Sequence, residues 1–181
     1  MIIIYEGADG VGKTTAVSLT VEALHADGGT AVLHRGPPKV HPLLEYTLDI
    51  EIHTLADPDM HIVCDRWHWG ELVYGPLFRG KTSFTTQSFA AVNEYLWQLG
   101  ALVCLIDDQE QAVRARITER GDDAHVLPHL ESVLGAYRDM YDSYRVGPYM
   151  PQCTKIEGIP TADTVARVIE HARRTYAVRQ R

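Results

Sequence analysis

The chain has 181 residues, 45% hydrophobic and 23% charged, which suits an ordinary globular protein and fits one domain, residues 1–181, with a sizeable core. Its net charge of −7 argues against a general nucleic-acid-binding surface, because phosphate contacts need clustered Lys and Arg. No basic region precedes the short apolar start and no apolar run approaches about 18 residues, so neither a signal peptide nor a membrane span is expected and a cytoplasmic location is.

The run Ile2-Ile-Ile-Tyr5 predicts a buried strand over 2–6, and the amphipathic stretch from Thr14 to Ala26 a helix over 13–26. Between them stands Gly7-Ala-Asp-Gly-Val-Gly12-Lys13-Thr14, a complete G-x-x-x-x-G-K-T phosphate-binding loop in a strand–loop–helix setting. Its glycines let backbone N–H groups curl around a polyphosphate, and the helix N-terminus adds a positive dipole end. Gly7, Asp9, Gly10, Val11, Gly12, Lys13, Thr14 and Thr15 are therefore the expected nucleotide cradle. Lys13 would reach the β- and γ-phosphates of ATP, and the Thr14 hydroxyl would bind Mg²⁺.

Gly28-Gly29 is expected to close that first helix with a left-handed cap, followed by a strand at 30–34 and a helix at 41–55. A strand at 61–65 ends in Asp65-Arg66. After a phosphate loop such an Asp holds the Mg²⁺ shell, although a strand-end Asp can also simply cap a turn. Arg66 offers a planar fork for bidentate phosphate binding. The segment from Trp67 to Lys81 packs Trp69, Glu71, Tyr74 and Arg79 around glycines, which suits a site for a flat base and its sugar. The alternative is that its rings merely fill the core.

Helices are predicted at 85–99, 109–120, 129–145 and 162–178, and strands at 101–106 and 153–157. Asp108 with Gln111 resembles a capping box, Gly121 closes the following helix, and Thr161 is the expected N-cap of the last one. Arg116 and Arg120 lie four apart on one face, ahead of a Gly-Asp-Asp-Ala-His stretch that reads as flexible. This suggests a mobile lid at about 114–128 whose cations close over transferring phosphates; a solvated face paired with Glu110 and Glu119 is the alternative. Cys64, Cys104 and Cys153 are odd in number and lie in apolar runs, so buried thiols are expected, and the nine His show no metal-ligand spacing.

The near-continuously apolar strands imply an α/β fold, a five-stranded parallel sheet with helices on both faces. Ligands of such sheets sit beyond the carboxyl ends of the strands. There Glu6–Gly7, His34–Arg35, Asp65–Arg66, Asp107–Asp108 and Gly158 are expected to share one rim.

Tyr5-Glu-Gly-Ala-Asp9-Gly-Val-Gly-Lys-Thr-Thr15 closely resembles the first loop of thymidylate kinases. Cys64-Asp-Arg66 resembles their Asp-Arg motif, Leu72-Val-Tyr74-Gly the segment after it, and the helix ending Arg120-Gly121-Asp122 their lid. The run from Asp65 to Gly80 looks most like small phage and bacterial deoxynucleoside monophosphate kinases of that group. The resemblance spans most of the chain and implies a three-layer phosphate-loop kinase fold, with Mg²⁺-dependent transfer of the ATP γ-phosphoryl group to a deoxynucleoside monophosphate. It further implies that Asp9 contacts the acceptor's sugar, that Arg66 clamps its phosphate with Arg35 as helper, and that Tyr74 packs near the sugar. Arg116 and Arg120 would be lid cations, the backbone around Gly158–Pro160 would border adenine, and a homodimer would be common. Two departures stand out: Arg35-Gly36-Pro37 replaces the family's frequent Arg-Glu-Pro, and the stretch from Arg35 to Asp65 is short. Related deoxynucleoside kinases carry a glutamate base where this chain has Gly36, and its lack favours a monophosphate, whose nucleophile is already anionic. The rivals are a deoxynucleoside kinase, a kinase of another hydroxyl such as a modified base, and an ATP-binding switch.

Overall fold

Five short apolar segments form strands: β1 (Ile2–Glu6), β2 (Thr30–His34), β3 (His61–Asp65), β4 (Leu102–Asp107) and β5 (Gln152–Glu157). All pair in parallel, in the order β2-β3-β1-β4-β5. In register, Tyr5 of β1 faces Asp65 of β3 on one side and Cys104 of β4 on the other. The carboxyl ends of these three central strands therefore lie side by side. The computed structural model describes every residue except Arg35, Asp122, Arg145, Val146, Pro148, Gln180 and Arg181.

The helices are α1 (Lys13–Leu24), α2 (Pro42–Ala56), α3 (His68–Arg79), α4 (Thr86–Gln98), α5 (Glu110–Arg120), α6 (Leu130–Tyr144) and α7 (Ala162–Arg179), with a 3₁₀ turn at Ala124–His129. β1 and β4 are buried along their whole length, as strands covered on both faces must be. α1 and α7 pack together against the central strands; α6 lies on β4 with α3 against it, and α2 packs on α4. The result is the expected three-layer α/β fold with a five-stranded parallel sheet. Cys64 and Cys104 are buried in it and Cys153 is half-buried, all as free thiols. Among the described residues no helix is long and apolar enough to cross a membrane.

Four local expectations need correction. α1 ends at Leu24 with His25 in the right-handed region, so Gly28, at φ +134°, bends the following turn instead of capping the helix. Asp108 accepts from the Gln109 N–H at 2.7 Å, and no side chain caps α5, so the proposed capping box does not form. Residues 68–79, to which no element was assigned, are a helix despite Gly70, Gly75 and Pro76. Ala124 and His125, the end of the Gly121–His125 stretch read as flexible, begin the 3₁₀ turn, which the fully buried Val126 anchors. By contrast, Gly121 caps α5 at φ +73°, and Thr161 caps α7 by accepting the Thr164 N–H at 3.3 Å.

One buried hydrogen bond sets the seating of α1 against the central strand β1: the Tyr5 hydroxyl lies 2.7 Å from Thr20 Oγ1, which itself donates to the Ala16 carbonyl. Tyr5→Phe leaves Thr20 one partner short and should lower stability by about 1 kcal/mol. Urea unfolding should show a lower midpoint at unchanged slope, and an unaltered midpoint would remove this bond from the account.

Candidate active site

The phosphate loop leaves β1 and enters α1, and it is buried from Gly7 through Val11. At Gly12 the backbone adopts φ +102°, and a Cβ there would stand 2.8 Å from Pro160 Cδ. Only glycine fits both demands. Pro160 thereby abuts the loop, while the Gly158 N–H donates to the Asp107 carbonyl at 2.8 Å, so the β5–α7 connection lies beside the phosphate loop. Lys13 donates to the carbonyls of Gly7 (2.9 Å) and Ala8 (2.6 Å) and lies 3.7 Å from Asp9. Burial, then the Arg66 charge, pull its ammonium down to about 8, against the pull of Asp9, Asp65 and Glu6. The Thr14 hydroxyl donates to Asp65 Oδ2 at 3.0 Å across to β3, and the other oxygen, Oδ1, is buried without a hydrogen-bond partner. Val11 is fully buried, so only its backbone can serve a ligand, and Thr15 is exposed at the start of α1.

The β3–α3 turn builds the second half of the site. Arg66 has φ +66°, a conformation costly for a side chain that is not glycine. What holds it is Glu6, wholly buried at the end of β1, whose Oε1 accepts the Trp67 N–H at 3.0 Å and the Trp69 N–H at 2.9 Å. Arg66 in turn pairs with Asp9 of the phosphate loop. Tyr74, about two turns further on in α3, accepts the Asp9 N–H (3.1 Å) and donates to Asp9 Oδ2 (3.0 Å). Burial pushes the Glu6 carboxyl up to about 7, although the two N–H bonds, Lys13 and Arg66 oppose this.

Beside this turn lies a cavity of about 250 Å³. α3 lines it with Gly70, Glu71, Tyr74 and Phe78, and Trp67 precedes them at the same helical spacing, so one face of the helix forms the wall. Asp9 and Arg66 close the end next to the phosphate loop, and Gly36, Pro37, Tyr46, His125 and Arg79 complete the lining. Tyr74 and Phe78 stack at 5.5 Å, and Phe78 meets His125 edge-on at 5.8 Å. Trp69 is a correction to the expected acceptor set: it is fully buried against Tyr144 and His68 and does not line the cavity.

On the nucleotide side, Arg116 docks on the loop itself, donating from Nε to the Gly10 carbonyl (2.8 Å) and from Nη2 to Asp108 (2.7 Å). Arg120 is half-exposed and reaches Asp123 at 3.5 Å, so the two expected lid cations have different settings. Arg114 follows the solvated-face alternative in part, pairing with Glu110 while also donating to the Leu127 carbonyl. Arg35 and Asp122 lie outside the described residues. Sequence reasoning missed Arg138 of α6, whose guanidinium grips Asp107 by two bonds of 2.8 and 3.0 Å, and it missed Tyr46, Phe78 and His125 in the cavity. The spacing 67-70-71-74-78 was a readable signal for Phe78; nothing local announced the others.

No family model matches the chain, and no curated protein sequence is similar to it. Among solved structures it is similar to the YorR protein of Bacillus subtilis in complex with phosphorylated GDP, with a TM-score of 0.68 and 19% identity over 94% of each chain. It is similar to deoxyadenosine kinase from M. mycoides with bound dCTP, with a TM-score of 0.58, 15% identity, and coverage of 97% of this chain and 100% of that one. Polyphosphate kinase 2 from Arthrobacter aurescens TC1 aligns with a TM-score of 0.65 and 14% identity over 96% of this chain and 66% of its own. At these identities the shared property is the fold, a parallel α/β sheet on which phosphate-loop kinases are built.

The state of Glu6 has a measurable consequence. Its carboxyl titrates near 4.5 when unfolded and about 7 when folded, so the folded chain holds the extra proton and stability falls as pH rises between those values. Glu6→Gln keeps an acceptor for the two N–H groups without the charge. Relative to the natural chain it should gain about 2–3 kcal/mol between pH 5 and pH 8 in urea unfolding. A difference that does not change with pH would mean that this carboxyl is not held protonated.

Proposed function

We propose that the chain transfers the γ-phosphoryl group of ATP, with Mg²⁺, to a deoxynucleoside monophosphate. The observation that carries the choice of acceptor is the state of the carboxylates in the cavity. Among the described residues only the carboxylates of Asp9 and Glu71 line it, and each is already paired with an arginine, Arg66 and Arg79 respectively. Gly36 lines it too, where a deoxynucleoside kinase would need its general base. A hydroxyl acceptor lacks help there, whereas an anionic phosphate oxygen needs only positioning and charge neutralisation, which Arg66 supplies at the end facing the phosphate loop.

The residues fit the ligands this reading requires. Thr14 and Asp65 would hold the metal: a hydroxyl beside a carboxylate with one oxygen still unpartnered is hard-cation chemistry. Among the described residues no group of three His, Cys, Asp or Glu could hold a metal alone, which agrees with an ion that takes its other ligands from phosphates and water. When bound, Mg²⁺ neutralises charge on the transferring phosphates. Lys13 sits where its ammonium can leave two carbonyls for the β- and γ-phosphates, and the Arg116 guanidinium, fixed on Gly10, adds charge above the loop. Arg120 joins as the outer lid cation, and Gly158 and Pro160 flank the adenine. Tyr74 fixes Asp9 and presents a ring to the acceptor's sugar.

The deciding experiment incubates the protein with ATP, Mg²⁺ and each common deoxynucleoside or its monophosphate, and follows ADP. Turnover with monophosphates supports the proposal. Turnover with nucleosides alone supports the deoxynucleoside kinase, a reading that the fold shared with the M. mycoides enzyme favours. Acceptor-independent hydrolysis supports a switch.

Arg66→Ala should cut kcat/KM for the acceptor by a hundredfold or more and leave the KM for ATP nearly unchanged. A change confined to ATP would place this arginine on the wrong ligand. A pH profile tests Lys13. Its charge is present below about 8 and lost above it, so kcat/KM for ATP should decline through that pH, and a flat profile to pH 9.5 would show that the charge is not used.

A further inference from the structure

We infer that Arg79 reads the acceptor's base and selects one that presents two adjacent hydrogen-bond acceptors, as guanine does with O6 and N7 and cytosine with O2 and N3. This rests on the proposed acceptor cavity and names what that cavity prefers.

Arg66 stands two residues ahead of α3 and Arg79 ends it, so the length of a 12-residue helix, about 18 Å, lies between them. The first lies at the phosphate-loop end, beside Asp9, and both line the same cavity. An acceptor whose phosphate meets Arg66 therefore points its base along α3, past the stacked Tyr74 and Phe78, toward Arg79.

Arg79 is held in a built setting. Its Nη2 pairs with Glu71, whose side chain is 1% exposed, while Arg79 itself is 36% exposed. The other Glu71 oxygen accepts the Ser83 N–H at 2.7 Å, so the carboxylate is tied to the loop after α3 and cannot swing toward a substrate. The same loop comes so close that a Cβ on Gly75 would stand 2.8 Å from the Lys81 carbonyl. Glu71 thus acts as the anchor of Arg79 and not as a base. The Nε and Nη1 groups of Arg79 have no hydrogen-bond partner among the described residues, which leaves part of a planar donor fork for the cavity.

A guanidinium fork offers donors only. It matches two neighbouring acceptors and is mismatched to adenine, whose N7 and N1 each adjoin the N6 amino donor, and to thymine, whose O4 and O2 flank the N3–H donor. One good bidentate contact of this type is worth roughly a five- to 150-fold preference. The motifs resemble thymidylate kinases, but this chemistry points away from thymine.

The test measures equilibrium binding of dGMP, dCMP, dAMP and dTMP by calorimetry, with turnover in parallel, for the natural chain and for Arg79→Lys. The lysine keeps a cation opposite buried Glu71, so the fold is not asked to leave that charge alone. The expected result is that dGMP, dCMP or both bind at least tenfold better than dAMP and dTMP, and that Arg79→Lys erases most of this gap without altering the KM for ATP. A preference for dTMP or dAMP, or a gap that survives in Arg79→Lys, overturns the inference while leaving the monophosphate reading in place. If only nucleosides bind, the monophosphate reading fails, and the same ranking of the four nucleosides still decides the role of Arg79. If neither set binds, both fall.

Discussion

A single buried carboxylate underlies the arrangement of the site. Glu6 ends β1 and accepts two backbone N–H groups from the beginning of α3, which stabilises the left-handed backbone of Arg66. That turn aims the guanidinium at Asp9 in the phosphate loop, and Tyr74 locks the same Asp9 from about two helical turns further on. The inner end of the cavity and the phosphate loop are therefore one hydrogen-bonded unit. Burying Glu6 is costly, as its elevated titration shows, but two amide donors and the nearby cations of Lys13 and Arg66 offset part of that cost. The fold tolerates the strain at Arg66 because the sheet places β1 beside β3.

That adjacency follows from the strand order. With β1 between β3 and β4, three carboxylates from separate strands, Glu6, Asp65 and Asp107, stand at one edge, and each has a distinct environment. Glu6 is sealed in the interior. Asp65 faces the Thr14 hydroxyl with one oxygen unpartnered. Asp107 is clasped by Arg138 and Lys155, which hold its pKa below the usual value although burial alone would raise it. Identical chemistry at three strand ends thus yields a structural brace, a candidate metal ligand and an anchor for α6.

The phosphate loop was readable because its chemistry is local: eight consecutive residues supply amides, a cation and a hydroxyl. The strands were readable because apolar side chains facing both ways leave no polar alternation, and their bounds fall within a residue of expectation. α3 was not. Gly70, Gly75, Pro76 and Gly80 each argue against a helix locally, yet Gly75 is glycine because the 80–83 loop leaves no room for a Cβ, and that reason lies outside the segment. Trp69 illustrates the same limit. It was assigned to the acceptor, but the indole is buried in the core and does not line the cavity, whereas Glu71 lines it with its oxygens bonded to Arg79 and Ser83.

Short-range covalent order was enough to establish a parallel α/β sheet, a glycine-rich loop between its first strand and helix, and a rim of acidic and basic groups beyond it, since hydrophobic periodicity and backbone geometry act over a few residues. Long-range packing alone settled which arginine meets which carboxylate. Arg138 reaches Asp107 across 31 residues, and Arg66 reaches Asp9 across 57. An ion pair depends on distance and desolvation in three dimensions, and neither quantity is defined until the chain has closed on itself.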